Sequence, residues 1–171
     1  MSLALMIVDG DITQIGGIGT ISFIKDNLYY AFGHSFLAPG KDINLPAKLA
    51  TTKTILDSSN YPMKLALPDG RTLGSLVLDN YMTVIIDNMS ASKTVKLISE
   101  INFSNDVKTF NQQVGKLNSN NYFYLAYTLT DILDYTLNRE IVGGTITGNL
   151  KITDDKNNDN ITNLNLDNSS Y

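Results

Sequence analysis

The only histidine of the chain, His34, stands where an apolar run meets a loop, inside residues 16–36, GGIGTISFIKDNLYYAFGHSF. An imidazole changes charge near neutral pH, so it serves as a general base, a proton shuttle or a metal ligand. With one histidine and no cysteine in 171 residues, neither a multi-histidine zinc site nor a thiol nucleophile can be assembled. Where an imidazole acts as a base toward a hydroxyl, the chemistry requires that hydroxyl within hydrogen-bond reach, a carboxylate to hold the imidazole tautomer, and amide donors for a developing oxyanion. The ordinary alternative is a structural histidine that caps a loop or bonds a carbonyl.

The element that positions this ring reads as a β-hairpin. Gly16-Gly17-Ile18-Gly19 leads into an apolar and β-branched run over 20–24, Lys25-Asp26-Asn27 makes a polar turn, and Leu28-Tyr29-Tyr30-Ala31-Phe32 returns to Gly33-His34. A dinucleotide site would need such glycines to open a helix, so that the helix N-terminus meets pyrophosphate. Here strand-forming residues follow instead, and glycines that permit tight coiling of a barrel strand are the reading that fits.

The order Ile18-Gly19-Thr20, short turn, Ala31-Phe32-Gly33-His34 resembles the SpoIVB-type serine peptidase family. That family has a chymotrypsin-like barrel with a Gly-x-Gly-Thr strand and a second strand ending in Gly-His. The resemblance continues more weakly through 35–40, Pro46 and Leu73-Gly74-Ser75-Leu76-Val77, covering Leu3 to about Asn88. It implies that His34 is the general base of a triad. The family's nucleophile turn, Gly-Met-Ser-Gly-Ser-Pro, has no counterpart here. Its nearest string, Asn88-Met89-Ser90-Ala91-Ser92, lacks both glycines and the proline, so Ser90 is a weak nucleophile candidate against the plainer reading of a polar turn. Asp79 and Asp87 are candidate orienting carboxylates, and spacing selects neither. In some relatives the serine turn lies upstream of the histidine hairpin; by that resemblance the nucleophile is supplied from outside this chain.

Composition bounds the partners. The chain is 43% hydrophobic and 18% charged, an ordinary globular balance. A net charge of −4, with scattered lysines and no basic face, argues against a phosphate-backbone partner, so no nucleic acid is expected. No apolar run approaches the ~18 residues of a membrane span, and residues 3–8 are too short for a signal core. No cofactor is expected. The compartment is unassigned, and it is extracytoplasmic only if a parent protein carries an upstream signal. The acidic stretch Asp154-Asp155-Lys156-Asn157-Asn158-Asp159 lacks the central glycine and terminal glutamate of a calcium loop and reads as a solvated hairpin tip.

Strand patterns occupy 3–8, 11–15, 20–24, 28–32, 47–56, 63–67, 72–78 and 82–86, with 35–42 a loop and Pro68-Asp69-Gly70-Arg71 a hairpin turn. This is roughly the seven or eight short strands of a small barrel. Beyond Ala91–Lys93 the spacing predicts strands over 94–103 and 107–114, an amphipathic helix over 121–138 capped by Asn120 or Asn121, and strands over 145–153 and 161–166. The helical face is read from Leu125, Leu129, Ile132 or Leu133, and Leu137, with Phe123 and Ala126 beside them.

The expected fold is mainly β with one α-helix. By resemblance, 1–92 is a small trypsin-like β-barrel region, and 93–171 is a β-β-α-β-β (α+β) unit whose helix buries its apolar face on those strands. The functional expectation is a peptidase-related fragment, inactive by itself. The competing reading is a non-catalytic module of a larger exported bacterial protein. Such a module would bind a peptide or protein segment, including upstream domains of the same chain, with Tyr29, Tyr30, Tyr122, Tyr124 and Tyr127 as candidate contacts.

Overall fold

In a computed structural model the protein is mainly β, with a single helix among the described residues. The structure describes residues 1–37, 40–57, 63–103, 106–116, 121–137, 144–153 and 159–168. Pro39, Asn120 and positions 154–158 of the acidic stretch lie outside them.

Six strands close into a ring. They are β1 (Ser2–Gly10), β2 (Gln14–Lys25), β3 (Leu28–Ala31), β4 (Gly40–Leu56), β5 (Met63–Asp79) and β6 (Val84–Asp87). Their antiparallel order is β2-β3-β6-β5-β4-β1, and β1 also pairs with β2, which completes the circuit. Two further strands, β7 (Thr94–Phe103) and β8 (Asp106–Gly115), extend the same sheet from β1. A bulge between Met6 and Val8 lets β1 serve both neighbours. Ser2 to Leu5 pair with β4, and Val8 to Gly10 pair with β8.

The barrel is filled by Leu3, Leu5, Leu45, Leu76, Val84 and Ile86, all with no exposed surface. Burying each such side chain contributes about 1.5–3 kcal/mol at most. On β1 seven successive residues, Ser2 to Val8, are buried, because this strand is flanked on both edges and covered on both faces.

Two of the expected elements are corrected. Pro68-Asp69-Gly70-Arg71 is not a chain reversal; it is an outward bulge within the single strand β5. Lys48 pairs with Thr72 and Ala50 with Pro68, so Asp69, Gly70 and Arg71 are looped out opposite one residue of β4. Gly70 takes φ +85°, and the Asp69 carboxylate accepts from the Arg71 amide and guanidinium. Both flanks pair with β4 rather than with each other, so the proline and glycine kink one strand instead of joining two. The expected loop over 35–42 is also shorter, since β4 begins at Gly40.

The elements after residue 93 come in the expected order, with α1 (Asn121–Leu137) followed by β9 (Gly144–Thr153) and β10 (Asp159–Asn168). Their pairing is different: β7 and β8 belong to the barrel's sheet, while β9 and β10 form a two-stranded sheet in full register from Thr153↔Asp159 to Gly144↔Asn168. The chain divides into two compact units, Met1–Leu133 and Asp134–Tyr171.

Within the first unit, Tyr124 and Leu125 of α1 pack against the barrel core, and Thr13 donates to Asp131 at 3.0 Å. In this unit the buried helix positions are Thr128 and Ile132, whereas Phe123 and Ala126 are exposed. Thr128 can be buried because its hydroxyl donates to the Tyr124 carbonyl one turn back, at 2.7 Å.

Candidate functional site

The rim around His34 is assembled by the ends of β3 and β5 and by the start of β6. In the β2–β3 hairpin Lys25 pairs with Leu28, and Asp26 supplies the left-handed residue of the turn at φ 53°. The return strand ends at the fully buried Ala31. The next residue, Phe32, takes φ 74°, and the Gly33 amide donates to the Ala31 carbonyl at 3.0 Å. This is a γ-turn of the rare positive-φ kind, a strained conformation for a bulky residue. Gly33 follows at φ 74° with open space where a Cβ would stand. Two left-handed residues in succession thus turn the chain out of the barrel and expose the His34 ring. Strain of this kind persists only where surrounding contacts over-determine it.

Those contacts explain the glycines. Gly17 and Gly19 lie opposite Leu5 and Leu3 and share their face of the sheet, so their Cα positions border the barrel interior. A Cβ on Gly19 would lie 2.2 Å from the Phe32 ring, and one on Gly17 would lie 2.4 Å from the Phe36 ring. The two rings meet edge to face at 5.7 Å, and Phe32 makes a similar contact with the His34 ring. The glycine spacing is therefore a seat for two aromatic side chains, of which Phe32 touches the histidine ring.

A carboxylate holds the loop from beneath. Asp79 is fully buried, and its two oxygens accept from the Phe36 and Leu37 amides, each at 2.9 Å. Asn80 next to it accepts from the Met82 and Thr83 amides, and the Thr83 hydroxyl donates to the Ala31 carbonyl at 3.0 Å. The loop after His34 and the β5–β6 turn are thereby tied to the same strand end.

The imidazole itself bonds through Nδ1, 2.6 Å from the Ser35 carbonyl oxygen. Because a carbonyl only accepts, Nδ1 carries the proton, and the neutral ring presents its lone pair at Nε2. Among the described residues no hydroxyl is bonded to that nitrogen. The ring is exposed and fixed through Nδ1.

Ser90 is not brought to it. In the β3–β6 ladder Ala31 pairs with Val84 and Leu28 with Asp87. A four-residue ladder spans about 10 Å at ~3.3 Å per residue, so the 87–90 turn lies at the end opposite His34. There the Ser90 hydroxyl donates to Asp87 at 2.7 Å, and Met89 donates its amide to the other carboxylate oxygen at 2.9 Å. Topology thus separates the two carboxylates: Asp79 lies at the histidine end and Asp87 at the far end.

The Met89 amide and then the Ser90 hydroxyl hold the Asp87 carboxyl below the usual range. Ser90→Ala is expected to raise that pKa toward the ordinary value, as read by NMR titration of the side chain. The sign follows from linkage: a depressed carboxylate stabilises the fold above its unfolded pKa and loses that contribution as pH falls through its folded pKa. Wild type and Ser90→Ala should therefore differ in stability at neutral pH and converge in acid. An unchanged Asp87 titration would refute the assigned role of the hydroxyl.

The seat of Phe32 and Phe36 against Gly19 and Gly17 is the feature of this rim that sequence reasoning missed. Its signal was present: two glycines at i and i+2 on one strand face, with two phenylalanines flanking the histidine. The tyrosines do not gather into one surface. Tyr29 and Tyr124 pack against the core, Tyr30 lies against Phe23 at 5.6 Å, Tyr127 is exposed on α1, and the Tyr122 side chain lies outside the description. No group of three or more metal-ligating side chains occurs among the described residues, and no helix among them is long and apolar enough to cross a membrane. Comparison with family models, curated proteins and solved structures finds no match to this chain.

Proposed function

We propose that the chain is a serine-peptidase-related barrel of the SpoIVB type that carries the base of a catalytic unit and does not hydrolyse peptides by itself. One observation carries this reading: an exposed imidazole just past the end of the third strand of a closed six-strand ring, with Nδ1 engaged by a backbone carbonyl. Asp79 strengthens it, because a buried carboxylate at the same rim fixes the loop that presents the ring. The distant placement of Ser90 supports the inactive half of the reading, since base catalysis needs the nucleophile within hydrogen-bond reach. Without that member the remaining groups give rates orders of magnitude below a complete triad.

The chain alone is expected to form no adduct with a fluorophosphonate probe and to leave fluorogenic peptides uncleaved. Diethyl pyrocarbonate should modify His34 readily, since the reagent attacks an exposed imidazole lone pair. A fluorophosphonate adduct that disappears in His34→Ala would make the chain a complete enzyme. Resistance of the folded protein to diethyl pyrocarbonate would remove the presented base, and with it the peptidase reading.

A further inference from the structure

At one end of the eight-stranded sheet β2 returns to β1; at the other, β7 pairs with β8 alone among the described strands, from Thr94↔Gly115 to Phe103↔Asp106. The hydrogen bonds show which backbone groups of β7 this leaves over. Asn111 stands opposite Ile98, yet its carbonyl accepts from the Asp11 amide at 3.1 Å and its amide donates to the Asp11 carboxylate at 2.8 Å. In the same register the Lys116 amide donates to the Lys93 carbonyl at 3.0 Å. Antiparallel bonds alternate along a strand. Residues 95, 97, 99 and 101 therefore bond to β8, while the amides and carbonyls of 94, 96, 98, 100 and 102 face the open edge. An edge ten residues long is a template for a further strand.

The side chains of this strand are arranged about one point. Lys96, Ile98 and Glu100 share the exposed face, with Ile98 53% accessible, while Val95, Leu97, Ser99 and Ile101 lie on the more buried one. Lys96 and Glu100 stand two positions either side of Ile98, and across the β8 ladder they meet the uncharged Gln113 and Thr109. Four residues apart on one strand, they are separated by roughly 13 Å and do not pair with each other. Like charges along an edge repel any added strand. One lysine and one glutamate, set symmetrically, reject some registers and match one.

We propose that β7 pairs with β7 of a second copy of this chain, antiparallel and centred on Ile98. In that register Lys96 of each copy stands opposite the partner's Glu100, and the two exposed Ile98 side chains cover each other on the same face. On the other face Val95 and Leu97 meet the partner's Ile101 and Ser99. The backbone groups that β8 leaves over are the ones this pairing engages, because residues 96, 98 and 100 of one copy lie opposite 100, 98 and 96 of the other. Centring on Lys96 or on Glu100 sets like charges face to face, and so does parallel pairing in register. The two-fold axis consumes the terminal edge of both copies, so the assembly closes at two chains instead of growing. The proposal goes beyond the peptidase kinship and stands without His34.

Sedimentation equilibrium of the full chain is the test. At about 100 µM chain a species of twice the 18.8 kDa chain mass is expected, dissociating in the micromolar range. Lys96→Glu and Glu100→Lys each set like charges opposite one another at two symmetry-related places, and each should weaken the dimer by about tenfold or more. The double reversal, Lys96→Glu with Glu100→Lys, recreates both opposite pairs and should return the dissociation constant to within about threefold of wild type. Both positions are exposed, and circular dichroism checks that every variant keeps the fold. Ile98→Pro removes an amide that β8 does not use, so it should abolish the dimer while the β signal persists. A chain that stays monomeric at this concentration, growth beyond two chains, single reversals without effect, or a double reversal that does not recover would each overturn the proposal. Sedimentation reads the β7 edge and fluorophosphonate labelling reads the histidine rim, so the two readings fail separately.

Discussion

Asp79→Ala is expected to destabilise the protein by about 3 kcal/mol and to release the loop that presents His34. The carboxylate is fully buried and accepts from two successive backbone amides, those of Phe36 and Leu37. Hydrogen bonds to an ionised acceptor contribute about 1.5–3 kcal/mol each, and deleting the acceptor strands its donors without a replacement of the same geometry. Asp79→Asn should cost less, about 1–2 kcal/mol, because its carbonyl oxygen retains one amide while its NH2 opposes the other. Denaturant unfolding at unchanged slope gives the energies. The amide resonances of Phe36 and Leu37 report the loop, and both should move upfield in Asp79→Ala. A change under about 0.5 kcal/mol with unmoved amide shifts would show that the carboxylate does not hold the rim.

Gly19→Val is expected to cost about 3 kcal/mol, near the upper end for inserting volume into a packed site. The new Cβ would lie 2.2 and 2.4 Å from two atoms of the Phe32 ring, so one of them must move. Phe32 has little freedom to yield. Its amide donates to the Thr20 carbonyl at 3.1 Å, its φ of 74° is fixed in the γ-turn, and its ring packs against the core and against Phe36. Displacing it should also disorder His34, whose ring rests against Phe32. A double-mutant cycle separates this contact from general strand disruption. Phe32→Ala makes room for the valine side chain, so the double variant should be more stable than the sum of the singles by at least about 1 kcal/mol. Strict additivity would mean that Gly19 serves the strand itself and not the aromatic seat.

These two residues show how unevenly the site could be read. His34 and its hairpin were legible, because the turn residues, the apolar runs and the Gly-His ending all lie within residues 16–36. Asp79 entered only as one of two carboxylates, since nothing local distinguishes it from Asp87. The distinction arises from antiparallel pairing, which sets Val84 beside Ala31 and Asp87 beside Leu28. Ser90 was the nearest hydroxyl candidate by motif, and the same ladder carries it to the far end. Phe32 and Phe36 stood next to the histidine throughout, but their purpose is visible only against Gly19 and Gly17 on the neighbouring strand.

What this amino-acid sequence determines by itself is the local character of each segment. Period-two alternation marks the strands, the 3.6-residue period over 121–137 marks the helix, and Gly33 and Gly70 mark positions of positive φ. Such properties depend on dihedral preference and on neighbours a few residues away, so a linear reading reaches them. Partnership is decided elsewhere. That Pro68 to Arg71 bulges instead of reversing, that β8 joins β1, and that the buried positions of the helix include Thr128 all follow from which surfaces meet across long separations. One strand pattern is compatible with many neighbours. The closure of six strands selects among them, because it alone satisfies the backbone of β1 through β6 while burying Leu3, Leu5, Leu45, Leu76 and Ile86 together.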